Sequence, residues 1–261
     1  MRLTRRWLMG AFGALIPFTA KAADTQGAPV PPSLDTLLAS FPYKVITTTG
    51  EKALAEWSRL KTNNEGWPVV VGSEDDLRML LENFSYAAPR TPVDILKAAD
   101  ALTLPKDLIA WQATNGYGGL GDPVGEWPAQ VDSGNLGLSV AIDILTDKPL
   151  ATAYIIMVPT THSWEVPAYL RWGNWNACPP PEYHVALLRS WHERFGAEIA
   201  GLSGDVLNLQ IIRPLREKDE ALAVAREQYV YCADLVEQGV GSLSALAATL
   251  IGQDWWYFWW D

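Results

Sequence analysis

Aromatic residues alternate between two faces at the C-terminal end of the chain, where the sequence reads QDWWYFWWD. Successive side chains of a β-strand point to opposite faces. The odd-numbered residues from Trp255 to Trp259 therefore share one face, and the even-numbered residues from Trp256 to Trp260 share the other. Both faces are apolar, which is typical of a strand covered on both sides. The pattern predicts a C-terminal aromatic strand that is buried in a sheet.

Apolar residues recur at helical spacing in several other stretches. Ser73 and Thr91 begin two of the helices, because an Asp follows each of them by three residues and Pro92 suits a first helical position. Gly196 is expected to end a third helix. The predicted helices cover residues 34–41, 51–61, a segment after Ser73, a segment after Thr91, and residues 182–195, 217–236 and 243–251.

Short β-branched and apolar runs predict the strands. The simplest of them lie at residues 43–48, 69–71, 197–202 and 206–212. Residues 138–144 alternate between apolar and polar, and turn residues separate them from the apolar run 150–158, which predicts a β-hairpin at the centre of the sheet.

These elements predict an α+β fold of the α/β type, with a central mixed β-sheet and helices packed on it. We expect an N-terminal α/β region at residues 34–135 and a C-terminal α/β module at residues 136–261. Glycines between residues 115 and 127 lack the Gly-Lys-Ser/Thr ending of a phosphate loop, so a surface loop is expected there.

The first 22 residues have the pattern of an export signal. A basic n-region precedes the modestly apolar residues 7–20, and Ala22 ends a small-x-small cleavage pattern. Arg5 and Arg6 lie in a stretch that resembles the twin-arginine motif, whose cargo is exported folded. We expect cleavage near Ala22, a flexible Pro-rich linker at residues 23–33, and a soluble mature protein in the periplasm.

Charge argues against a polyanionic partner. The formal net charge is −10 at pH 7, and removal of residues 1–22, which carry four basic and no acidic side chains, would leave −14. The sequence has no Lys/Arg cluster after residue 22, so no nucleic-acid partner is expected. No later segment is long and apolar enough to span a membrane. The expected partner is an unidentified protein or a small-molecule ligand.

Four motifs follow one another near the C-terminus: WEVPAYLRWGNWNACPPPEYH, WHERFGAEI, EALAVAREQYVYCADLVEQGVG and WWYFWWD. In the sequence and order of these motifs, the last 110 or so residues resemble the bacterial domain-of-unknown-function family 4253. The resemblance implies an α/β-type module and brings no established activity with it.

A cysteine hydrolase is one function that the C-terminal residues could support. It needs a thiolate, an imidazole that activates it and a group that orients the imidazole, and Cys178, His184 and Asp205 are the candidates for these roles. His184 also falls within the apolar stripe of the predicted helix 182–195. A hydrogen-bonded core histidine is therefore the alternative interpretation.

The two cysteines have competing interpretations. A metal site could combine Cys178, His184 or His192, and Cys232, but their spacing does not match the standard zinc modules, so no cofactor is predicted and a metal stays an alternative. In an exported protein the two cysteines could instead form a Cys178–Cys232 disulfide. Such a bond would form after the export of the folded chain.

Three tryptophans and an acidic residue suggest a ligand cleft. Trp164, Trp172 and Trp175 lie near Glu182 in a Pro-rich stretch, and aromatic platforms with carboxylates are typical of sugar-binding sites. The same tryptophans could also cover the edge of the sheet. We expect a non-catalytic binding or interaction module, with a thiol- or metal-dependent hydrolase and a carbohydrate-binding protein as the alternatives.

Overall fold

The computed structural model describes residues 32–131 and 137–261. The predicted signal peptide at residues 1–22 and nearly all of the predicted linker at residues 23–33 lie outside these ranges. The helices are α1 (Leu34–Ser40), α2 (Gly50–Lys61), α3 (Glu74–Tyr86), α4 (Pro92–Asp100), α5 (Lys106–Thr114), α6 (Val166–Leu170), α7 (Pro181–Phe195), α8 (Lys218–Tyr231) and α9 (Leu243–Leu250). The strands are β1 (Lys44–Thr48), β2 (Trp67–Gly72), β3 (Ile142–Asp143), β4 (Lys148–Pro149), β5 (Ala153–Val158), β6 (Ala197–Leu202), β7 (Val206–Ile211) and β8 (Trp255–Trp259).

Local capping chemistry places the helix ends where the sequence predicts them. The Ser73 hydroxyl accepts a hydrogen bond from the Asp76 N–H, and the Asp76 carboxylate accepts one from the Ser73 N–H, so α3 begins with a complete capping box. Thr91 begins α4 in the same way. Gly196 ends α7 with a φ of 63°, a left-handed conformation that glycine adopts without steric cost.

Six strands form one mixed sheet in the order β1-β5-β2-β6-β7-β8. The β2–β6 pair is parallel, and the other neighbouring pairs are antiparallel. The helices pack around this sheet, which confirms the predicted fold class. Both predicted regions contribute strands, because β1 and β2 come from residues 34–135 and the other four strands from residues 136–261.

The C-terminal aromatic strand lies in the sheet, as predicted, and occupies its edge. Every residue of β8 pairs with β7. Phe258 is fully buried and stacks on Trp191 with ring centroids 5.3 Å apart. On the side of β8 away from β7, the Cys232 thiol donates to the Trp259 carbonyl at 2.9 Å. The predicted helix 217–236 is therefore too long: α8 ends at Tyr231, and the chain turns at Cys232 to meet β8.

The predicted hairpin between residues 138–144 and 150–158 is wrong. Residues Ser139–Ala141 form a 3-10 turn, β3 pairs only with β4, and β5 lies between β1 and β2. The buried side chain of Asn208 explains the turn, because its carbonyl oxygen accepts a hydrogen bond from the Val140 N–H at 3.1 Å. Gly201 makes room above β6, since a Cβ there would lie 2.5 Å from the Val140 side chain.

The Gly-rich stretch at residues 115–127 forms an irregular segment that packs against the start of α9. The Pro123 and Val124 carbonyls accept hydrogen bonds from the N–H groups of Leu243 and Ser244, at 2.8 and 2.9 Å. These donors are the first ones of α9, so the loop itself satisfies them. In the two described ranges, no helix has the length and apolar character needed to cross a membrane.

Candidate functional site

A cleft of about 390 Å³ opens between the C-terminal end of α3 and the segment 170–182, which joins α6 to α7. Apolar side chains from α3, α4 and α6 form part of its wall. Its polar and aromatic lining residues are Asn83, Tyr86, Arg90, Arg171, Trp172, Asn174, Trp175 and Glu182.

The backbone of the segment 170–182 takes left-handed conformations at several positions. Arg171, Asn174 and Asn176 have φ values of 49°, 70° and 43°. Asparagine tolerates this region, whereas an arginine there is uncommon. Gly173 has a φ of 113°, and a Cβ at that position would lie 2.2 Å from the Pro179 carbonyl oxygen. The sequence RWGNWN is therefore suited to a tight irregular turn at the base of the cleft.

Hydrogen bonds hold this turn in place. The Asn174 N–H donates to the Pro179 carbonyl at 2.9 Å, and the Cys178 N–H donates to the Trp175 carbonyl at 2.8 Å. The Asn176 side chain donates to the carbonyl of Asp261 at 3.0 Å, which ties the turn to the chain just beyond the end of β8. The turn that carries the aromatic wall of the cleft is thus also held by the C-terminal residues.

Three of the four residues predicted to bind a ligand share the cleft. Trp172, Trp175 and Glu182 all line it, and the two indole rings meet edge to face with centroids 5.1 Å apart. Trp164 lies elsewhere. It stacks on His162 at 4.3 Å and contacts His192 at 4.5 Å between ring centroids.

Two arginines in the cleft were not found by sequence reasoning. Arg90 forms an ion pair with Glu182 at 2.8 Å. The Arg171 guanidinium lies 3.8 Å from the ring centroid of Phe84, and its Nη1 donates to the Ala87 carbonyl at 3.4 Å. Neither contact is visible in the sequence, because both depend on bringing residues 84–90 beside a turn some 80 residues later.

A buried polar cluster lies behind the cleft, and Trp172 separates the two. The Trp172 ring lies 4.6 Å from the His184 ring, and its N–H donates to the Ser203 carbonyl at 2.7 Å. Within the cluster, Cys178 Sγ lies 3.5 Å from His184 Nε2, and Tyr231 Oη lies 2.5 Å from His184 Nδ1. Cys178 and His184 are fully buried, and Tyr231 is 1% exposed.

Burial sets the protonation state of this cluster. Desolvation lowers the pKa of His184 to about 3, against an ordinary value of 6.5, and a hydrogen bond to the Pro179 backbone opposes this only in part. Desolvation also raises the pKa of the Cys178 thiol well above its usual range, and it does the same for the Tyr231 hydroxyl. All three groups are therefore neutral at pH 7.

The two ring nitrogens of His184 face different partners. Nδ1 lies beside the Tyr231 hydroxyl and Nε2 beside the Cys178 thiol, and both tautomers of the neutral ring satisfy these two contacts. The predicted pair meets as a hydrogen-bonded core histidine beside a neutral thiol.

The third predicted catalytic residue lies on a different element from this pair. Asp205 is in the turn between β6 and β7, where it accepts a hydrogen bond from the Ser203 hydroxyl at 3.2 Å. The group that orients His184 is instead Tyr231, for which the sequence gives no signal beyond its place in a predicted helix.

Cys178 and Cys232 are free thiols here, and both are buried. The predicted disulfide between them stays a prediction. His192 contacts the Ala197 carbonyl through Nδ1 at 3.1 Å and Trp164 through its ring, so it is not part of the Cys178 cluster. Within the described residues, no group of three or more His, Cys, Asp and Glu side chains could hold a metal ion.

Comparison with known proteins identifies the C-terminal part of the chain. Residues 154–261 match the family model whose description is "Domain of unknown function (DUF4253)". No curated protein and no solved structure matched the chain. The matched region contains the segment 170–182 and the buried cluster. The opposite wall of the cleft, with Asn83 and Arg90, comes from residues that precede it.

The neutral state of His184 makes the stability of the fold depend on pH. Its folded-state pKa of about 3 lies below the ordinary value of 6.5. The contribution of His184 to stability is therefore complete above pH 6.5 and is lost as the pH falls toward 3, because the unfolded chain takes up the proton first. In this window we expect His184 to change the free energy of unfolding by about 1.4 kcal/mol per pH unit.

Urea unfolding of the wild type and of His184→Gln between about pH 4 and pH 6 measures this contribution. The variant should show a pH slope that is smaller by about one proton. His162→Gln, at an exposed position, is the control for the loss of a histidine. Identical slopes in the wild type and His184→Gln would contradict the assignment.

Proposed function

We propose that this protein is a non-catalytic binding protein that holds a small-molecule ligand in the cleft between α3 and the segment 170–182. The observation that carries the proposal is the convergence of Trp172, Trp175 and Glu182 on one open cleft, while Cys178 and His184 are sealed in the core behind it. The cleft has the size of a small-molecule site, for which volumes of roughly 300–1,000 Å³ are common. No cofactor is needed for this role.

The lining favours a carbohydrate as the class of ligand. Trp175 is partly exposed and offers a flat apolar face, and Asn83, Arg90 and Glu182 offer donors and acceptors for hydroxyl groups. A sugar ring has the complementary combination of an apolar face and a polar edge. Trp172 is 3% exposed, so its role is to support Trp175 rather than to provide the contact surface.

Two features argue against catalysis in this cleft. Among the described residues that line it, Glu182 is the only carboxylate, whereas glycoside hydrolysis ordinarily uses a pair. The Arg90 guanidinium already pairs with that carboxylate. The alternative of a thiol hydrolase requires an accessible thiolate and a base, whereas Cys178 and His184 are both fully buried and burial raises the pKa of the thiol well above its usual range.

The proposal predicts that Trp175→Ala weakens ligand binding by about tenfold or more, because it removes the exposed aromatic face of the cleft. Isothermal titration with a panel of mono- and disaccharides measures the affinity. Trp164→Ala is the matched control, because this tryptophan is partly exposed and lies outside the cleft, and its affinity should stay within about twofold of the wild type. Equal affinities in the wild type and Trp175→Ala would contradict the proposed site. Sugar hydrolysis that Cys178→Ala abolishes would contradict the non-catalytic role.

We further propose that the chain is exported through the twin-arginine pathway and acts in the periplasm as a soluble protein. The arginine pair at residues 5 and 6 and the cleavage pattern ending at Ala22 support this location. A sugar-binding protein without catalysis is compatible with a compartment in which nutrients and wall fragments diffuse.

The export proposal predicts a mature protein that begins near residue 23. Intact mass of the protein purified from the periplasm, after alkylation in denaturant without reductant, measures the cleavage and the thiols together. We expect the mass of residues 23–261 with both Cys178 and Cys232 alkylated, since both are free thiols in the fold. A mass with residues 1–22 retained would contradict processing. An unalkylated mass lighter by two hydrogens would show that the disulfide forms after export.

A further inference from the structure

We infer that the ligand of the cleft carries a carboxylate and that Arg171 binds this group, so that the ligand class is an acidic sugar such as a hexuronate. The inference rests on the proposed function, since it names the chemistry of the ligand in the same cleft. It is carried by the charge, the backbone conformation and the surroundings of Arg171.

Arg171 is a cation in the cleft without an ion-pair partner among residues 32–131 and 137–261. Within the described residues, the guanidinium has one hydrogen bond, to the Ala87 carbonyl at 3.4 Å, which uses one of its five N–H donors. Arg90 differs, because Glu182 neutralises it at 2.8 Å. The cleft therefore has an excess of one positive charge, in a chain whose net charge is −10. An anionic group on the ligand would pair with this charge.

The guanidinium of Arg171 is already positioned in the protein. Its carbon lies 3.8 Å from the centroid of Phe84, whose ring meets Phe41 edge to face at 5.1 Å. Contact with a supported aromatic ring restrains the guanidinium, and within the described residues its hydrogen bond to the Ala87 carbonyl uses one of five N–H donors. A restrained guanidinium can bind the two oxygens of a carboxylate with little loss of side-chain entropy.

The backbone of Arg171 points to the same role. This residue ends α6 in the left-handed conformation, with φ 49° and ψ 36°, at a position where glycine or asparagine is the usual choice. A residue with a Cβ is strained in this conformation. Strain of this kind persists where the surroundings fix it, and it is concentrated at ligand sites. The strain at Arg171 is explained if the side chain has a function in the cleft.

The remaining lining residues define how an acidic sugar would lie. The carboxylate would pair with Arg171, and the ring would face Trp175 with its hydroxyls toward Asn83 and Glu182. All four side chains belong to the same cleft of about 390 Å³. A phosphate is disfavoured, because its dianion calls for more than one unpaired cation, and Arg171 is the only arginine in the described lining without a carboxylate partner.

Titration calorimetry with D-glucuronate and D-glucose tests the inference, because the two sugars differ only in the carboxylate. At low salt the wild type should bind glucuronate about tenfold or more tightly than glucose. Arg171→Gln should weaken glucuronate binding by about the same factor and leave glucose binding within about twofold. Arg189→Gln, which removes a surface arginine paired with Asp100, is the control and should leave both affinities unchanged. Raising the salt should weaken glucuronate binding to the wild type and leave glucose binding unaltered, a measurement that needs no variant.

The outcomes separate the inference from the proposed function. Equal affinity of the wild type for both sugars, lost in Trp175→Ala, would overturn the carboxylate and keep the binding role. A preference for glucuronate that survives in Arg171→Gln would overturn the role of Arg171. Inorganic phosphate bound as tightly as glucuronate would assign the cleft to phosphate instead. Binding of neither sugar would overturn both the inference and the carbohydrate proposal.

Discussion

The hydrogen bond from the Trp172 indole N–H to the Ser203 carbonyl, 2.7 Å long, is the contact on which the rest of the site depends. It fixes a ring that faces the cleft on one side and the buried His184 on the other. Because a buried indole needs a partner for its single donor, this bond also sets the orientation of the ring. Trp175 in turn packs edge to face on Trp172. The cleft wall, the turn that carries it and the β6–β7 connection are thus joined through one side chain.

The sequence suggests a catalytic site at Cys178 and His184, whereas the fold buries both residues in a polar cluster behind Trp172. Cys178, His184 and Tyr231 are neutral, because charging any one of them without water would be costly. Each group of the histidine ring has a hydrogen-bond partner, so the cluster specifies one arrangement of the segment 170–182 over α7 and α8. The proposed ligand site therefore lies on the open side of Trp172, in the cleft.

Local chemistry explains how much of the fold could be predicted from the sequence. Ser73, Thr91 and Gly196 mark helix ends because their hydrogen bonds and φ values depend on near neighbours. The final strand is predicted correctly because a strand that is buried on both faces has apolar side chains on both faces. The hairpin at residues 138–158 fails because the partners of β5 are β1 and β2, which lie about 100 residues earlier in the chain. Pairing at that distance leaves no mark in the local pattern.

In the candidate site, too, local features could be predicted and long-range contacts could not. Trp172, Trp175 and Glu182 were predicted from their proximity in one stretch, and the fold keeps them together. The proposed role of Arg171 has no signal in the sequence, because it depends on the contact of this side chain with Phe84. Trp164 is close to Trp172 in the sequence, but in the fold it contacts His162 and His192 outside the cleft. Proximity in the sequence does not reveal this separation.

Nuclear magnetic resonance of the indole N–H groups tests the central claim most directly. The chain contains thirteen tryptophans, and selective 15N labelling with single substitutions assigns the signals of Trp164, Trp172 and Trp175. On addition of D-glucuronate, the account predicts progressive shifts for Trp175 and Trp172, the two rings of the cleft, and none for Trp164. Shifts at Trp164 with an unchanged Trp175 signal would contradict the assignment of the cleft as the ligand site.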